Sequence, residues 1–186
     1  MTQARTVAVL VGSLRKASLS RKIADALAAL APDNLTLKIV EIGDLPFYNQ
    51  DLEDEGAPPK AWIDFRQKIA ETDAVLFVTP EYNRSVPAVL KNAIDVGSRP
   101  YGKSVFNNRP AAVVSQSQGN LSGFGANHHL RQSLVFLNMP VLQQPEAYVG
   151  NAGGLFDERG ELVKDDTRAF FTSFMAAFGA WIEKTA

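Results

Sequence analysis

The sequence predicts an α/β domain built on a doubly wound, five-stranded parallel sheet in the order 2-1-3-4-5, with helices on both faces. Three observations lead there. Along 186 residues, five short apolar runs with β-branched character alternate with segments of helical periodicity, the βα repeat of a parallel sheet. The first, third and fourth runs are nearly continuous in apolar character, as strands covered on both faces must be. The second interleaves Lys38 and Glu41 with its apolar residues and reads as an edge, and right-handed crossovers that bury strands one, three and four favour the stated order.

In chain order, strands are expected over residues 6–11, 35–42, 74–79, 111–115 and 141–143. Helical spacing appears in Ile23, Leu27 and Leu30, then in Trp62, Phe65 and Ile69, where Pro58 and Pro59 mark the helix start. It returns in Val89, Ala93 and Val96, with Ser85 as the expected N-cap and Pro87 near the first turn, and in Leu130, Leu134 and Leu137. The last segment places Phe170, Phe174, Phe178, Trp181 and Ile182 on one face behind Asp165 or Asp166 as N-cap, and that helix should seal the sheet's far side. The acidic run at residues 53–55 reads as a solvated loop.

Composition narrows the function. With 46% hydrophobic and 21% charged residues the chain has the make-up of a globular protein, and one domain over residues 1–186 is expected. Nineteen basic residues against 20 acidic give a net charge of -1, so nucleic acid and anionic membranes are not expected partners. The absence of cysteine excludes disulfides, thiolate nucleophiles and cysteine-ligated metal centres, so any redox chemistry needs a bound cofactor. No apolar stretch approaches the roughly 20 residues of a membrane span, and the short polar N-terminus lacks the pattern of a signal peptide. A cytoplasmic enzyme or carrier is expected.

Parallel sheets of this kind bind ligands beyond the C-terminal ends of their strands. After strand one, Gly12-Ser13-Leu14-Arg15-Lys16-Ala17-Ser18-Leu19-Ser20 brings hydroxyls and basic side chains to a helix N-terminus, which suits an anion. Ser13, Ser18 and Ser20 are candidate donors and Arg15 a candidate charged contact; the plainer role for Ser18 or Ser20 is to cap the helix. Neither G-x-G-x-x-G nor G-x-x-x-x-G-K-[ST] is present, so a terminal monophosphate fits better than a dinucleotide or triphosphate. After strand three, Thr79-Pro80-Glu81-Tyr82-Asn83-Arg84-Ser85-Val86-Pro87 offers Tyr82 as a stacking surface for a planar heterocycle and polar backbone to read its edge. After strand four, Ser115-Gln116-Ser117-Gln118-Gly119 is a third polar turn at the same end of the sheet.

These segments, with Leu90-Lys91-Asn92-Ala93-Ile94-Asp95 after the second of them, resemble the NADPH-dependent FMN reductase family over nearly the whole chain, and within it the bacterial quinone and chromate reductases. The resemblance implies a flavodoxin-like fold that holds FMN non-covalently. Its phosphate would lie against Ser13, Arg15, Ser18 and Ser20, its isoalloxazine along Pro80, Glu81, Tyr82, Asn83 and Arg84, with a further contact from Ser117. The family often carries Asn where Ser20 stands, and an aromatic residue occupies the place of Arg84 in some relatives. The implied activity passes electrons from NAD(P)H through FMN to quinones, and to chromate, azo or nitro compounds, by a ping-pong route with no catalytic side chain. A homodimer or homotetramer is implied, with subunit contacts along the helix starting near Pro87 and the stretch 124–130; Val89 and Ala126 are positions where a charge is expected to disturb them without unfolding the domain. The rival reading is a flavodoxin-type electron carrier without an NAD(P)H site, against which the near-neutral charge weighs.

Three further features invite other readings. His128 and His129 are the sequence's two histidines, and no carboxylate pattern around them suggests a metal site. Ser13, His128 and Asp95 supply the residue types of a hydrolase triad, but the G-x-S-x-G elbow is missing. Phe47, Tyr48 and Asn49 could edge the cofactor pocket, meet a second subunit or simply pack a loop.

Overall fold

Alternate residues along each central strand enter different layers. In β1 (Arg5–Val11), Val7, Val9 and Val11 face one side of the sheet while Ala8 and Leu10 face the other. β3 (Ala74–Pro80) repeats the division, Leu76 and Val78 on one side and Val75 and Phe77 on the other. All seven residues of β3 are buried, which is why the segment reads as a continuous apolar run. The computed structural model, which describes residues 3–185, pairs these strands with β2 (Leu35–Ile39), β4 (Ala111–Gln116) and β5 (Ala147–Val149) in one parallel sheet ordered β2-β1-β3-β4-β5. The predicted architecture is the observed one.

The first layer is covered by α1 (Leu19–Ala29) and α6 (Asp165–Thr185), which bury Ile23, Ala24 and Leu27 and Phe171, Phe174, Phe178 and Ile182. The second is covered by α3 (Lys60–Ala70), α4 (Ala88–Gly97) and α5 (Phe124–Phe136), with Trp62, Phe65, Leu90, Ala93, Leu130 and Leu134 in the core; α2 (Gln50–Asp54) is a short helix before α3. No helix among the described residues is long and apolar enough to cross a membrane.

Several local expectations are corrected. The fifth strand is not at 141–143: Val141 makes a single bridge to Ala111, and the ladder resumes at Ala147–Val149 opposite Val114, Ser115 and Gln116. Pro145, which has no N–H to donate, stands between the two stretches. Ser85 is not the cap of α4, because it closes a tight turn with Tyr82 and leaves Pro87 as the residue before the helix. Asp165 and Asp166 lie inside the first turn of α6, where their charge still suits the positive end of the helix. Phe171 takes the buried place expected of Phe170, which packs partly exposed beside it. Glu53 is no solvated loop residue: it sits in α2 with a side chain 9% exposed, paired with Arg66.

Candidate functional site

Three loops at the C-terminal ends of β1, β3 and β4 converge on one crevice. Ser13, Arg15, Ser18, Pro80, Glu81, Tyr82 and Ser117 line it, together with Gln116, in a volume of about 240 Å³. Ser20 is fully buried beneath the first loop, and Asn83 and Arg84 stand exposed at the tip of the second.

The first loop runs close over the sheet. Gly12 N–H donates to the Val78 carbonyl at 2.9 Å, and a Cβ at Gly12 would lie 3.2 Å from Leu90, Pro80 and Thr79. Ser18 caps α1, its Oγ accepting from Arg21 N–H at 3.1 Å, so the capping role weighed from sequence is the one its oxygen fills. The first turn of α1 contains no acidic residue, which leaves the partial positive charge of the helix start available to an anion. Arg15 is exposed beside it and has no ion-pair partner among the described residues, whereas the Arg21 guanidinium is engaged by Glu41 at 2.7 Å.

The second loop contains a two-residue turn. Tyr82 and Ser85 exchange backbone hydrogen bonds of 3.1 and 2.9 Å around Asn83 and Arg84, whose φ angles are 50° and 64°. Left-handed backbone is mild for asparagine and strained for arginine, about 1–2 kcal/mol per residue, and such strain concentrates where a loop meets a ligand. Tyr82 is 55% exposed at the mouth of the crevice, a free aromatic face. The Glu81 carboxylate points elsewhere: its Oε2 accepts from Ala126 N–H at 3.0 Å, so any contact it offers a cofactor comes from its backbone or from the other oxygen.

The third loop is held from below. Ser117 N–H donates to the Val149 carbonyl at 3.0 Å, and its hydroxyl donates to the Gly119 carbonyl at 2.8 Å. Gln116, which the sequence placed in the turn but did not single out, lies at the end of β4 with its amide nitrogen on Ser20 Oγ and its amide oxygen buried without a partner among the described residues. Leaving a buried acceptor unmade costs about 1–3 kcal/mol, a cost that a hydroxyl-bearing ligand can remove. Which way a strand-end side chain points depends on the sheet, and that signal is absent from the sequence.

The other candidate residues are used locally. His128 Nε2 lies 3.0 Å from the Tyr148 hydroxyl, while His129 Nδ1 lies 3.0 Å from Ser85 Oγ, so the two histidines serve different contacts. Burial, then a hydrogen bond to Glu146, pushes the Tyr148 phenol up to about 12. Tyr48 packs on Trp62 with ring centroids 5.2 Å apart, Asn49 caps α2, and Phe47 is 77% exposed. Ala126 is fully buried within the chain, so a charge there would disrupt the fold; Val89 is half-buried against the same core. The exposed apolar residues of α5 are Phe124 near its start and Val135 and Phe136 at its end.

Residues 5–154 match the family model described as NADPH-dependent FMN reductase. A quinone reductase of Pseudomonas putida is 62% identical over 183 residues, 98% of this chain and 97% of that protein. A 2-hydroxy-1,4-benzoquinone reductase of a Burkholderia species is 42% identical, covering 95% of both chains. Among solved structures, FerB of Paracoccus denitrificans, a flavoenzyme NAD(P)H:(acceptor) oxidoreductase, superposes with a TM-score of 0.91 at 40% identity over 98% of this chain and 99% of its own.

Proposed function

The chain belongs to the NADPH-dependent FMN reductase family, and from that premise we propose that it is an FMN-dependent NAD(P)H:quinone oxidoreductase. The observation that carries the proposal is the crevice itself, in which an anion-seeking helix start, an exposed tyrosine and an unpaired buried amide oxygen lie along one line of loops. These match the three parts of FMN in turn: a phosphate at Ser13, Arg15 and Ser18, a hydroxylated ribityl chain near Gln116, and a planar ring beside Pro80, Glu81, Tyr82, Asn83 and Arg84, with Ser117 at the margin. Ser20 belongs to this set through Gln116, from below the phosphate loop. FMN supplies hydride and electron transfer between NAD(P)H and the acceptor, and the protein's own groups bind and orient it.

The ping-pong order and the wider acceptor range, including chromate, azo and nitro compounds, are part of the same reading: one open crevice would serve donor and acceptor in turn. A crevice of about 240 Å³ is smaller than the roughly 300–1,000 Å³ of sites that enclose a drug-sized ligand, which supports a second subunit as the missing wall. The groove between α4 and α5, with Phe136 73% exposed, is the surface that fits it.

The direct test is anaerobic titration of the FMN-loaded protein with NADH and NADPH, followed by benzoquinones. Bleaching of the flavin bands and their recovery on adding quinone are expected. FMN binding without bleaching by either nucleotide would overturn the reductase reading in favour of an electron carrier.

A further inference from the structure

We propose that Glu81 is a positioning residue whose carboxylate clamps the turn at residues 82–85 to the start of α5, setting the edge of the pocket that receives the flavin ring without touching the ring. The proposal rests on the FMN reading and adds to it a residue acting through another element.

The start of α5 lacks what helix starts normally have. Its N-cap is Gly123, in a left-handed conformation with φ 72°, no side chain caps it locally, and its first turn contains no acidic residue. Free N–H groups and the helix dipole there call for an acceptor, preferably an anionic one. Glu81, 45 residues earlier in the chain, provides it: Oε2 accepts from Ala126 N–H at 3.0 Å, with the side chain only 11% exposed. Its other oxygen lies 3.6 Å from Arg84 Nη1, so the carboxylate touches both the helix and the turn.

The two backbones are in contact as well. A Cβ at Gly125 would stand 2.7 Å from the Arg84 carbonyl oxygen, closer than side chains come to backbone, and a tight 3.0 Å from Glu81 Oε2. The clamped turn is the one that holds Asn83 and Arg84 in left-handed backbone, a state that persists only where the surroundings enforce it. From the same helix, His129 Nδ1 reaches Ser85 Oγ at 3.0 Å, so α5 holds the turn at both ends. Tyr82, the exposed aromatic surface of the crevice, lies between those two attachments.

The test measures flavin binding to the apoprotein and the visible absorption and circular dichroism of the bound flavin. Glu81→Ala is expected to weaken FMN and riboflavin by a similar factor, about tenfold or more, and to shift the bound-flavin spectrum. Glu81→Gln, which keeps an acceptor for Ala126 N–H, should restore most of the affinity and the parental spectrum. Gly125→Ala should reproduce the alanine variant's spectrum by forcing the turn away from α5. These signatures separate a clamp from a general loss of stability, which lowers the melting temperature of the apoprotein without altering the spectrum of flavin that does bind. If Glu81→Ala does not fold, Gly125→Ala and Glu81→Gln decide the question by the same spectra. Parental affinity and spectrum in Glu81→Ala or Gly125→Ala would overturn the clamp while leaving FMN binding intact. A parent protein that takes up no FMN would overturn the cofactor reading and the clamp's role together.

Discussion

Gln116 Nε2 donates to Ser20 Oγ at 3.0 Å, tying the end of β4 to the first turn of α1 and leaving Gln116 Oε1 buried without a partner among the described residues. Each single truncation strands the other member: Gln116→Leu leaves the buried Ser20 hydroxyl without its donor, and Ser20→Ala leaves the amide nitrogen without its acceptor. Ser20→Ala should lower apoprotein stability by about 1–3 kcal/mol, whereas Gln116→Leu, which also removes the unpaired Oε1, should lose less. The double variant Gln116→Leu/Ser20→Ala strands neither and should lose clearly less than the sum. Urea denaturation of the four apoproteins measures this, and strictly additive losses would show that the hydrogen bond does not couple them.

Arg15, exposed beside the start of α1 and without an ion-pair partner among the described residues, is the charge available to a phosphate. Arg15→Ala should weaken FMN by about 1.5–3 kcal/mol, roughly ten- to a hundredfold, and leave riboflavin unchanged because the contact is to the phosphate. Fluorescence titrations with both flavins check it. Equal FMN dissociation constants for parent and variant would remove Arg15 from the site.

Phe136 is 73% exposed at the end of α5 and lines the groove between α4 and α5, the surface proposed to meet a second subunit. Phe136→Asp should shift the protein toward monomer in sedimentation velocity and lower NAD(P)H oxidation per bound FMN, with the circular dichroism of the fold retained. Ala126 is unsuitable for this test because it is fully buried in its own chain. A monomeric variant, or a monomeric parent, with full turnover would reject the shared pocket.

Tyr148 should be a late tyrosine to ionise. Burial and the Glu146 hydrogen bond raise its phenol from 10 to about 12, so folding favours the neutral form. The stability this confers is present below about pH 10 and is lost as pH rises through about 12. Absorbance titration at the tyrosinate band should show a phase near pH 12 in the parent that is missing in Tyr148→Phe. If the missing phase lies at the ordinary value instead, the phenol is not perturbed.

What the sequence by itself determined is whatever depends on periodicity and chain order. The strand order was legible because burial of residues 7–11 in β1, all of β3 and residues 111–114 of β4 leaves nearly continuous apolar runs, whereas the edge strand β2 shows Lys38. That the loops after β1, β3 and β4 meet at one crevice was legible too, since in a parallel sheet every loop after a strand opens at the same end. The helix carrying Phe171 was found although the face was set one residue off at Phe170, because adjacent aromatics on a helix differ by only one step of rotation.

Only the tertiary structure decided where side chains turn once the elements are packed. Ser20 proved to be a buried partner of Gln116, Glu53 a partner of Arg66, and the Glu81 carboxylate a cap on a helix 45 residues away. It also set the fifth strand at Ala147–Val149, where β4 still had backbone groups to pair. Such choices depend on which donors and acceptors from distant segments lie within about 3 Å and would otherwise be buried unpaired. That condition is a property of the assembled fold, and no local pattern of residue types encodes it.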